Sequence, residues 1–364
     1  MYENELKALK KSGRFRERKV FNSELEDMAS NDYLGLSNNK KQFKKAVKMM
    51  EKYDTLTSKA SMLVNGYHPI HQKFEQTMAQ QNGFEEGIVV GSGFLANMAL
   101  IEALVRKNDK IFIDESYHAS GMMASELIKE RVIFFNHNDS EDLRFKLKKY
   151  SAKRQIVAVE GVYSMRGDLC PKEIFDVVEE KACLMIVDEA HSSGVIGKKL
   201  LGIFEYYDIK INERHIKMGT LGKAYGSYGA YILASSHIVS FLINRGKPII
   251  YSTSPSVFDT ALALVNLHYI QKKSEKLQHK IKKRQKIVNN ILGITLESLI
   301  LPVVMPTNEQ TLSMQKKLLS KGYLVGAIRQ PTVTKPIMRV ILNLSANCQK
   351  IVKTLQIISD KQIQ

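Results

Sequence analysis

The sequence predicts an α/β protein, with a large domain built on a mainly parallel sheet wrapped by helices and a smaller α+β C-terminal domain. Three observations predict it. Between about residues 40 and 250, short apolar runs alternate with segments of helical periodicity, the order that a parallel sheet and its crossover helices require. A long helical pattern at 256–290 follows, and beyond it the order changes to strand, helix, strand, strand, helix. A chain of 364 residues, 44% hydrophobic and 25% charged, can bury a core and is long enough for two or three packed units.

Residues 1 to about 20 read as a basic helix, and Ala29 to Asn39 is rich in turn residues. Ile88-Val89-Val90 is a short strand, and Ala96 to Val105 has helical periodicity. Further strands are expected at Lys110 to Ile113, Val132 to Phe135, Gln155 to Val159, Cys183 to Val187 and His215 to Met218. Gly229 to Ala234 reads as one more, antiparallel after the turn at Gly226 to Gly229. After the long helix come strands at Leu299 to Met305, Leu324 to Ile328 and Met338 to Leu344, a helix from Glu309 to Lys321, and a closing helix. The expected division is an N-terminal arm at 1–39, a large domain at 40–255, and a bridging helix with a small C-terminal domain at 256–364.

The 54 Lys plus Arg residues outnumber the 37 Asp plus Glu and leave a formal charge of +17, which invites a nucleic-acid reading. The distribution opposes that reading. The basic residues concentrate in Lys7 to Lys19, Arg144 to Arg154 and Lys272 to Lys286, alternating with apolar positions as on the wet face of a helix. No zinc finger, basic-region heptad or aromatic RNA-binding signature accompanies them. Cys170, Cys183 and Cys348 are too dispersed for a disulfide framework or a structural zinc site, so reduced thiols and no metal are expected. No apolar run approaches the ~18 residues a membrane span needs, and a soluble, cytoplasmic protein is expected.

In open α/β sheets ligands bind beyond the carboxyl ends of the strands. The run Cys183 to Val187 stops at Asp188-Glu189-Ala190-His191, a carboxylate and an imidazole at a strand tip, which could equally be a capped strand end. Gly91-Ser92-Gly93-Phe94 lies between a strand and a helix and could turn N–H groups toward a phosphate; an ordinary turn has the same composition. Thr220-Leu221-Gly222-Lys223-Ala224-Tyr225-Gly226 holds a lysine among glycines, either a surface turn or the nucleophile of a Schiff-base enzyme. A lysine to form an imine, an Asp to hold a pyridine nitrogen protonated, a His and a phosphate turn together match what pyridoxal 5'-phosphate requires.

The order and wording of the motifs extend that match. They are Ser30-Asn31-Asp32-Tyr33-Leu34-Gly35-Leu36; Val64-Asn65-Gly66-Tyr67 with His71 and Glu75; Gly91 to Phe94 with Ala96-Asn97; and His118-Ala119-Ser120. Glu160-Gly161-Val162-Tyr163-Ser164-Met165, Val187 to His191 and Thr220 to Lys223 complete the series. With these seven blocks in order, the chain from Ser30 to about Leu344 resembles the α-oxoamine synthases. These are fold-type I pyridoxal phosphate transferases that condense an amino acid with an acyl thioester and release carbon dioxide.

The resemblance implies that Lys223 carries the cofactor and then serves as general base, and that Asp188 pairs with the pyridine nitrogen. It implies that His191 bonds the ring's phenolic oxygen, while His118 stacks on the ring and assists as an acid. Ser92, Gly93, Phe94 and Thr220 would bind the phosphate, and Ser164 would lie near the cofactor oxygen. Ile250 to Ser254 and Ala327 to Val333 resemble the biotin-pathway branch, which uses L-alanine and a pimeloyl thioester carried on CoA or on an acyl carrier protein. Arg329 would then hold the substrate carboxylate, with Asn31 and Arg14 also on the substrate side. Ser252 to Ser254, Thr253 among them, would reach the neighbouring subunit's cofactor in a homodimer. The basic segment Lys7 to Lys19 would steer an anionic acyl donor.

The chain departs from the family at three places. Thr57 to Leu63 replaces a run of glycines, Arg166 stands where an acidic residue is common, and Arg339-Val340-Ile341 replaces two arginines separated by one residue. A glycine-using relative such as an aminoketobutyrate ligase is the alternative within enzymes. A basic RNA-binding or assembly protein on the same scaffold is the alternative outside them, and intact Lys223, Asp188, His118 and His191 argue against it.

Overall fold

A computed structural model describes residues 1–359, so the last five positions of the expected 256–364 segment lie outside the described residues. The strands are β1 Glu26–Met28, β2 Glu86–Val90, β3 Lys110–Asp114, β4 Val132–Phe135, β5 Gln155–Glu160, β6 Leu184–Asp188, β7 His215–Thr220 and β8 Ala230–Ala234, then β9 Ile300–Val304, β10 Tyr323–Ile328 and β11 Ile337–Ile341. The chain forms two compact units. Among the described residues no helix is long and apolar enough to cross a membrane.

The larger unit comprises Leu34–Ser164 and Asp168–Gln278. Its seven-stranded sheet has the order β2-β8-β7-β6-β5-β3-β4. Ile156, Val157, Ala158 and Val159 of β5 and Met185, Ile186 and Val187 of β6 have no exposed surface, so both faces of the central strands are covered. All neighbouring pairs are parallel except those made by β8. The segment between β7 and β8 explains the exception: it is shorter than the dozen or so residues of a parallel crossover, so the chain must turn back on itself. Gly226 makes that turn possible. Its φ is 55°, and a Cβ there would stand 2.7 Å from the Leu36 Cβ.

The register aligns Glu160 of β5 with Asp188 of β6, and Asp188 with Met218 of β7. The carboxyl ends of β3, β5, β6 and β7 therefore present Asp114, Glu160, Asp188 and Thr220 along one edge of the sheet. The helix after β2 runs Gly93–Leu104, one turn earlier than the expected start at Ala96, because the Ser92 hydroxyl caps it by accepting the Leu95 N–H at 3.2 Å.

Beneath that edge lies a buried ion pair. Lys217 of β7 is 1% exposed and Glu189 is fully buried, with 3.6 Å between Nζ and Oε1. Lys217 also donates to Asn82 Oδ1 at 2.8 Å and to the Leu201 carbonyl. Burial holds its ammonium below the ordinary lysine range, opposed by Glu189. Removing one member of such a pair strands the other, so Lys217→Met is expected to lower unfolding free energy by about 3 kcal/mol, read from the urea midpoint. An unchanged midpoint would show that the Lys217 and Glu189 pair contributes no net stability.

The smaller unit comprises residues 1–33, 165–167 and the chain from His279 onward. Its sheet has the order β1-β10-β11-β9. β1 pairs parallel with β10, aligning Glu26 with Tyr323, so part of the expected arm is a strand of this sheet. The other two pairs are antiparallel, and helices Asn308–Ser320 and Cys348–Ser359 complete an α+β arrangement. The strand expected at 338–344 is Ile337–Ile341. The N-terminal helix spans only Glu3–Lys11, not 1–20. Gly13, at φ 66°, returns its N–H to the Lys10 carbonyl while Arg14 N–H reaches Leu9, a left-handed ending that stops the helix.

Candidate active site

Three turns at the carboxyl edge of the large sheet carry the residues that the sequence singles out. After β6, Asp188 Oδ1 accepts the Ala190 N–H at 3.0 Å, and Ser192 and Ser193 both donate their N–H to the Glu189 carbonyl. That turn brings His191 back toward the sheet, 5% exposed. The β7–β8 turn is closed by Ser227 N–H on the Leu221 carbonyl and Gly226 N–H on the Lys223 carbonyl. Lys223 projects from it, half-buried, with its Nζ 3.0 Å from His191 Nε2.

The third turn follows β3 and carries His118, which is tied to Asp188 through two side chains. Asn97 Nδ2 donates to Asp188 Oδ2 and to Ser120 Oγ, each at 2.9 Å. Tyr117 OH donates to Asn97 Oδ1 at 2.8 Å and fixes which way the amide points. Ser120 Oγ lies 2.7 Å from His118 Nδ1, which also accepts the Ser120 N–H at 3.2 Å. With Nδ1 an acceptor, the neutral imidazole carries its proton on Nε2. Burial lowers the His118 pKa, Asp188 pulls it up and Lys223 pushes it down again, and the net shift is downward.

Asp188 is 4% exposed and Glu160, beside it in register, 1%. Burial first, and then the Asp188 charge, push Glu160 well above the usual carboxylate range. Glu160 Oε2 accepts the Ser164 N–H at 3.1 Å, while its Oε1 is buried with no hydrogen-bond partner. Two buried carboxyls side by side favour a cation between the strand tips, the role a pyridinium N–H fills. At the other end, the Ser92 cap satisfies Leu95 N–H and leaves the N–H groups of Gly93 and Phe94 with no protein acceptor among the described residues. A Cβ at Gly93 would come no nearer than 3.7 Å to Met218 Cε and 4.0 Å to Thr220 Cβ, so there is room above this helix end. The Thr220 hydroxyl donates to the Gly229 carbonyl at 3.0 Å and accepts the Gly222 N–H at 3.3 Å. A planar cation carrying a phosphate and an imine-forming carbon fits this donor set.

The structure thus groups Lys223, His191, Asp188, His118, Ser164, Ser92, Gly93, Phe94 and Thr220 within the large unit. Thr253 also belongs to it; the residue is exposed, and its segment is anchored by Ser254 N–H on the Ala60 carbonyl at 3.0 Å. Where the family has glycines, Lys59 takes a φ of 51°, the left-handed conformation a glycine adopts without strain. Arg329, Arg14 and Asn31 belong to the small unit. Arg329 Nη1 donates to the Gly13 carbonyl, next to exposed Arg14, and Arg339 Nη1 donates to Asn31 Oδ1 at 2.9 Å. Ile341 is fully buried in register with Ile300, so it supplies core packing where the family often has a cation.

No role was expected for Asn97, Tyr117, Ser120 or Glu160. Asn97 carried a readable signal: it is one polar side chain on an otherwise apolar stretch, Leu95 to Leu100, that must face the sheet. The link between Asn97 and Asp188 spans 91 positions of sequence and had none.

A mainly parallel seven-stranded sheet, with a carboxylate at one strand tip and a lysine on the following turn, defines a fold-type I pyridoxal phosphate-dependent transferase. The family model "Aminotransferase class I and II" matches residues 23–355, and the chain belongs to that family and, within it, to the α-oxoamine synthases, pyridoxal phosphate-dependent acyltransferases. It is 43% identical over 348 residues to the 8-amino-7-oxononanoate synthase of Helicobacter pylori strain J99, covering 94% of this chain and 93% of the relative. A putative 8-amino-7-oxononanoate synthase of Aquifex aeolicus is 35% identical, covering 95% and 93%. The crystal structure of the 8-amino-7-oxononanoate synthase of Francisella tularensis superposes with a TM-score of 0.79 at 25% identity, covering 94% of this chain and 98% of that one. Serine palmitoyltransferase of S. paucimobilis, 22% identical, shares the fold with a TM-score of 0.89 over 99% and 98%.

Proposed function

We propose that this protein condenses L-alanine with a pimeloyl thioester, carried on CoA or on an acyl carrier protein, to give 8-amino-7-oxononanoate for biotin biosynthesis. The observation that carries the reading is the 43% identity, across nearly the whole of both chains, to relatives of that name. Bound pyridoxal 5'-phosphate supplies an electron sink for the substrate's α-carbon.

The chain's own residues supply the rest. Lys223 would hold the cofactor through its amine and, once released, would take the proton from the α-carbon of alanine as general base. His191, 3.0 Å from that amine, orients it and donates toward the ring oxygen. Asp188, fixed by Asn97 and the Ala190 N–H, keeps the ring nitrogen protonated. The N–H groups of Gly93 and Phe94 hold the phosphate, with the Ser92 and Thr220 hydroxyls. His118 would lie on the ring side of the site and offer Nε2–H to the condensing carbonyl oxygen, and Ser164 would hold the ring oxygen. Arg329 and Asn31 bind the substrate carboxylate, and Arg14 lies on the acyl-donor side. Thr253 acts across a homodimer interface, on the partner subunit's cofactor.

The test is product formation by the purified holoenzyme from pimeloyl-CoA and, separately, pimeloyl-loaded carrier, with L-alanine, glycine and L-serine compared by mass spectrometry. 8-Amino-7-oxononanoate is expected from alanine alone, from a species that sediments as a dimer. Faster turnover with glycine and a short acyl-CoA would replace the reading with that of an aminoketobutyrate ligase, and an active monomer would remove Thr253 from the site.

A further inference from the structure

Behind the turn that carries His118 lies an ionic cluster that the proposed chemistry does not use. Asp114, the last residue of β3, has no exposed surface and accepts four hydrogen bonds. Oδ1 takes His137 Nδ1 at 3.0 Å and the Ser116 N–H at 2.8 Å; Oδ2 takes the Asn138 N–H at 2.9 Å and the Tyr163 hydroxyl at 2.8 Å. His137 continues to Asp168, with Nε2 2.9 Å from Oδ2, and its ring meets Tyr163 edge-on at 4.4 Å. Three segments meet here. Ser116 begins the turn that ends at His118, Asn138 donates through Nδ2 to the Leu169 carbonyl at 3.0 Å, and Tyr163 immediately precedes Ser164. The Tyr163 and Ser164 segment is closed by the Val162 and Leu169 bridge and by Tyr163 N–H on the Asp168 carbonyl at 3.0 Å.

We propose that Asp114, His137 and Asp168 are positioning residues, in which a protonated His137 clamped between two carboxylates holds the His118 turn and the Ser164 segment in register with each other. Both His137 nitrogens face carboxylate oxygens, and only the imidazolium can donate from both at once. A neutral ring would leave one carboxylate oxygen opposite a bare nitrogen, a repulsive contact. The groups facing the ring are Asp114 from β3, and Asp168 and Tyr163 from the 162–170 segment; Tyr163 has its pKa raised by burial first and so stays uncharged. Burial opposes the His137 charge, but bonds to Asp114 and Asp168 overcome it and raise its pKa to about 9. A pKa raised on folding contributes stability that is fully present below the unfolded value of 6.5 and is lost as pH rises through about 9. The cluster therefore works at neutral pH and loosens at its alkaline edge.

The inference rests on reading His118 and Ser164 as flanking the cofactor, and its test separates the two. Carbon-13 labelled histidine in the apoprotein is expected to show His137 titrating near 9, and Asp168→Asn should lower that midpoint by about one pH unit or more. In the holoenzyme the same variant should move the alkaline limb of kcat for α-proton exchange downward by the same amount, with the KM for the amino acid little changed. His137→Gln should remove that limb and lower kcat about ten-fold to a hundred-fold, as misplacement of supporting groups does. Asp168→Asn keeps His137 on Asp114 and serves if the glutamine variant does not fold. A His137 that titrates near 6.5 in the apoprotein overturns the proposal without reference to turnover. So does an Asp168→Asn protein whose His137 midpoint shifts while the alkaline limb of kcat stays in place.

Discussion

Lys223→Ala is expected to fold normally, to retain phosphate-anchored cofactor, and to lose at least about 10⁴-fold in turnover, the upper range for a single general base. The loss exceeds that of any other side chain here because one amine is asked to do two things. On the proposed reading it would anchor the cofactor and, once displaced, would act as the base for the α-proton. The fold should survive because Lys223 is half-buried on a turn held by backbone bonds, Gly226 to Lys223 and Ser227 to Leu221, which alanine keeps. The side chain is half-exposed and alanine gives up its 3.0 Å approach to His191, so the stability change should stay within about 1 kcal/mol. The check is multiple-turnover kinetics with and without an added primary amine such as methylamine, alongside the urea midpoint. Partial rescue by the amine, with an unchanged midpoint, is the expected pair of results. Multiple turnovers without added amine would remove Lys223 from the chemistry altogether.

The large sheet was legible because its central strands are buried on both faces, and such strands read as unbroken apolar runs whatever their neighbours are. The antiparallel β8 was legible for a different reason, since the glycine turn at 226–229 is too short for a crossover. β1 was not: Glu26-Asp27-Met28 has no apolar run, and it is a strand only because β10 offers its free edge. The N-terminal helix was overextended for a related reason. Lysines and arginines continue past Gly13 with tolerable helical spacing, and periodicity does not register that one left-handed glycine ends the ladder. In the site, strand tips and glycine-bounded turns marked Asp188, His191, Lys223 and Ser92. What holds them was hidden, because Asn97, Ser120, Glu160 and Asp114 act through pairings between elements far apart in sequence, which only the sheet order brings together.

Asp188→Asn is the second large effect, expected to cost about 10³-fold in α-proton exchange while cofactor remains bound, the upper range for losing one preorganised electrostatic partner. A neutral amide cannot hold a proton on the ring nitrogen against the electrons arriving from the α-carbon, whereas the phosphate and the Lys223 linkage are untouched. Glu160 is the only candidate to take over among the carboxyls aligned with this strand tip, and its setting forbids it. It is 1% exposed, one oxygen is committed to the Ser164 N–H, and burial with the Asp188 charge keeps it protonated well above the usual carboxylate range. Neutralising Asp188 removes the second of those causes but not the first, so Glu160 should fall toward the ordinary range without reaching it. The geometry around position 188 is also unfavourable to an amide. Asp188 receives donors on both oxygens, Asn97 Nδ2 at 2.9 Å and the Ala190 N–H at 3.0 Å, and an asparagine must turn its own NH₂ toward one of them. The Asn97 relay to Ser120 and His118 should therefore slacken as well. Deuterium exchange at the α-carbon of L-alanine, followed by NMR on the holoenzyme with cofactor content checked by absorbance, separates the outcomes. Slow exchange at full cofactor occupancy supports the assignment. Exchange at the wild-type rate at that occupancy would mean that the ring nitrogen does not depend on Asp188.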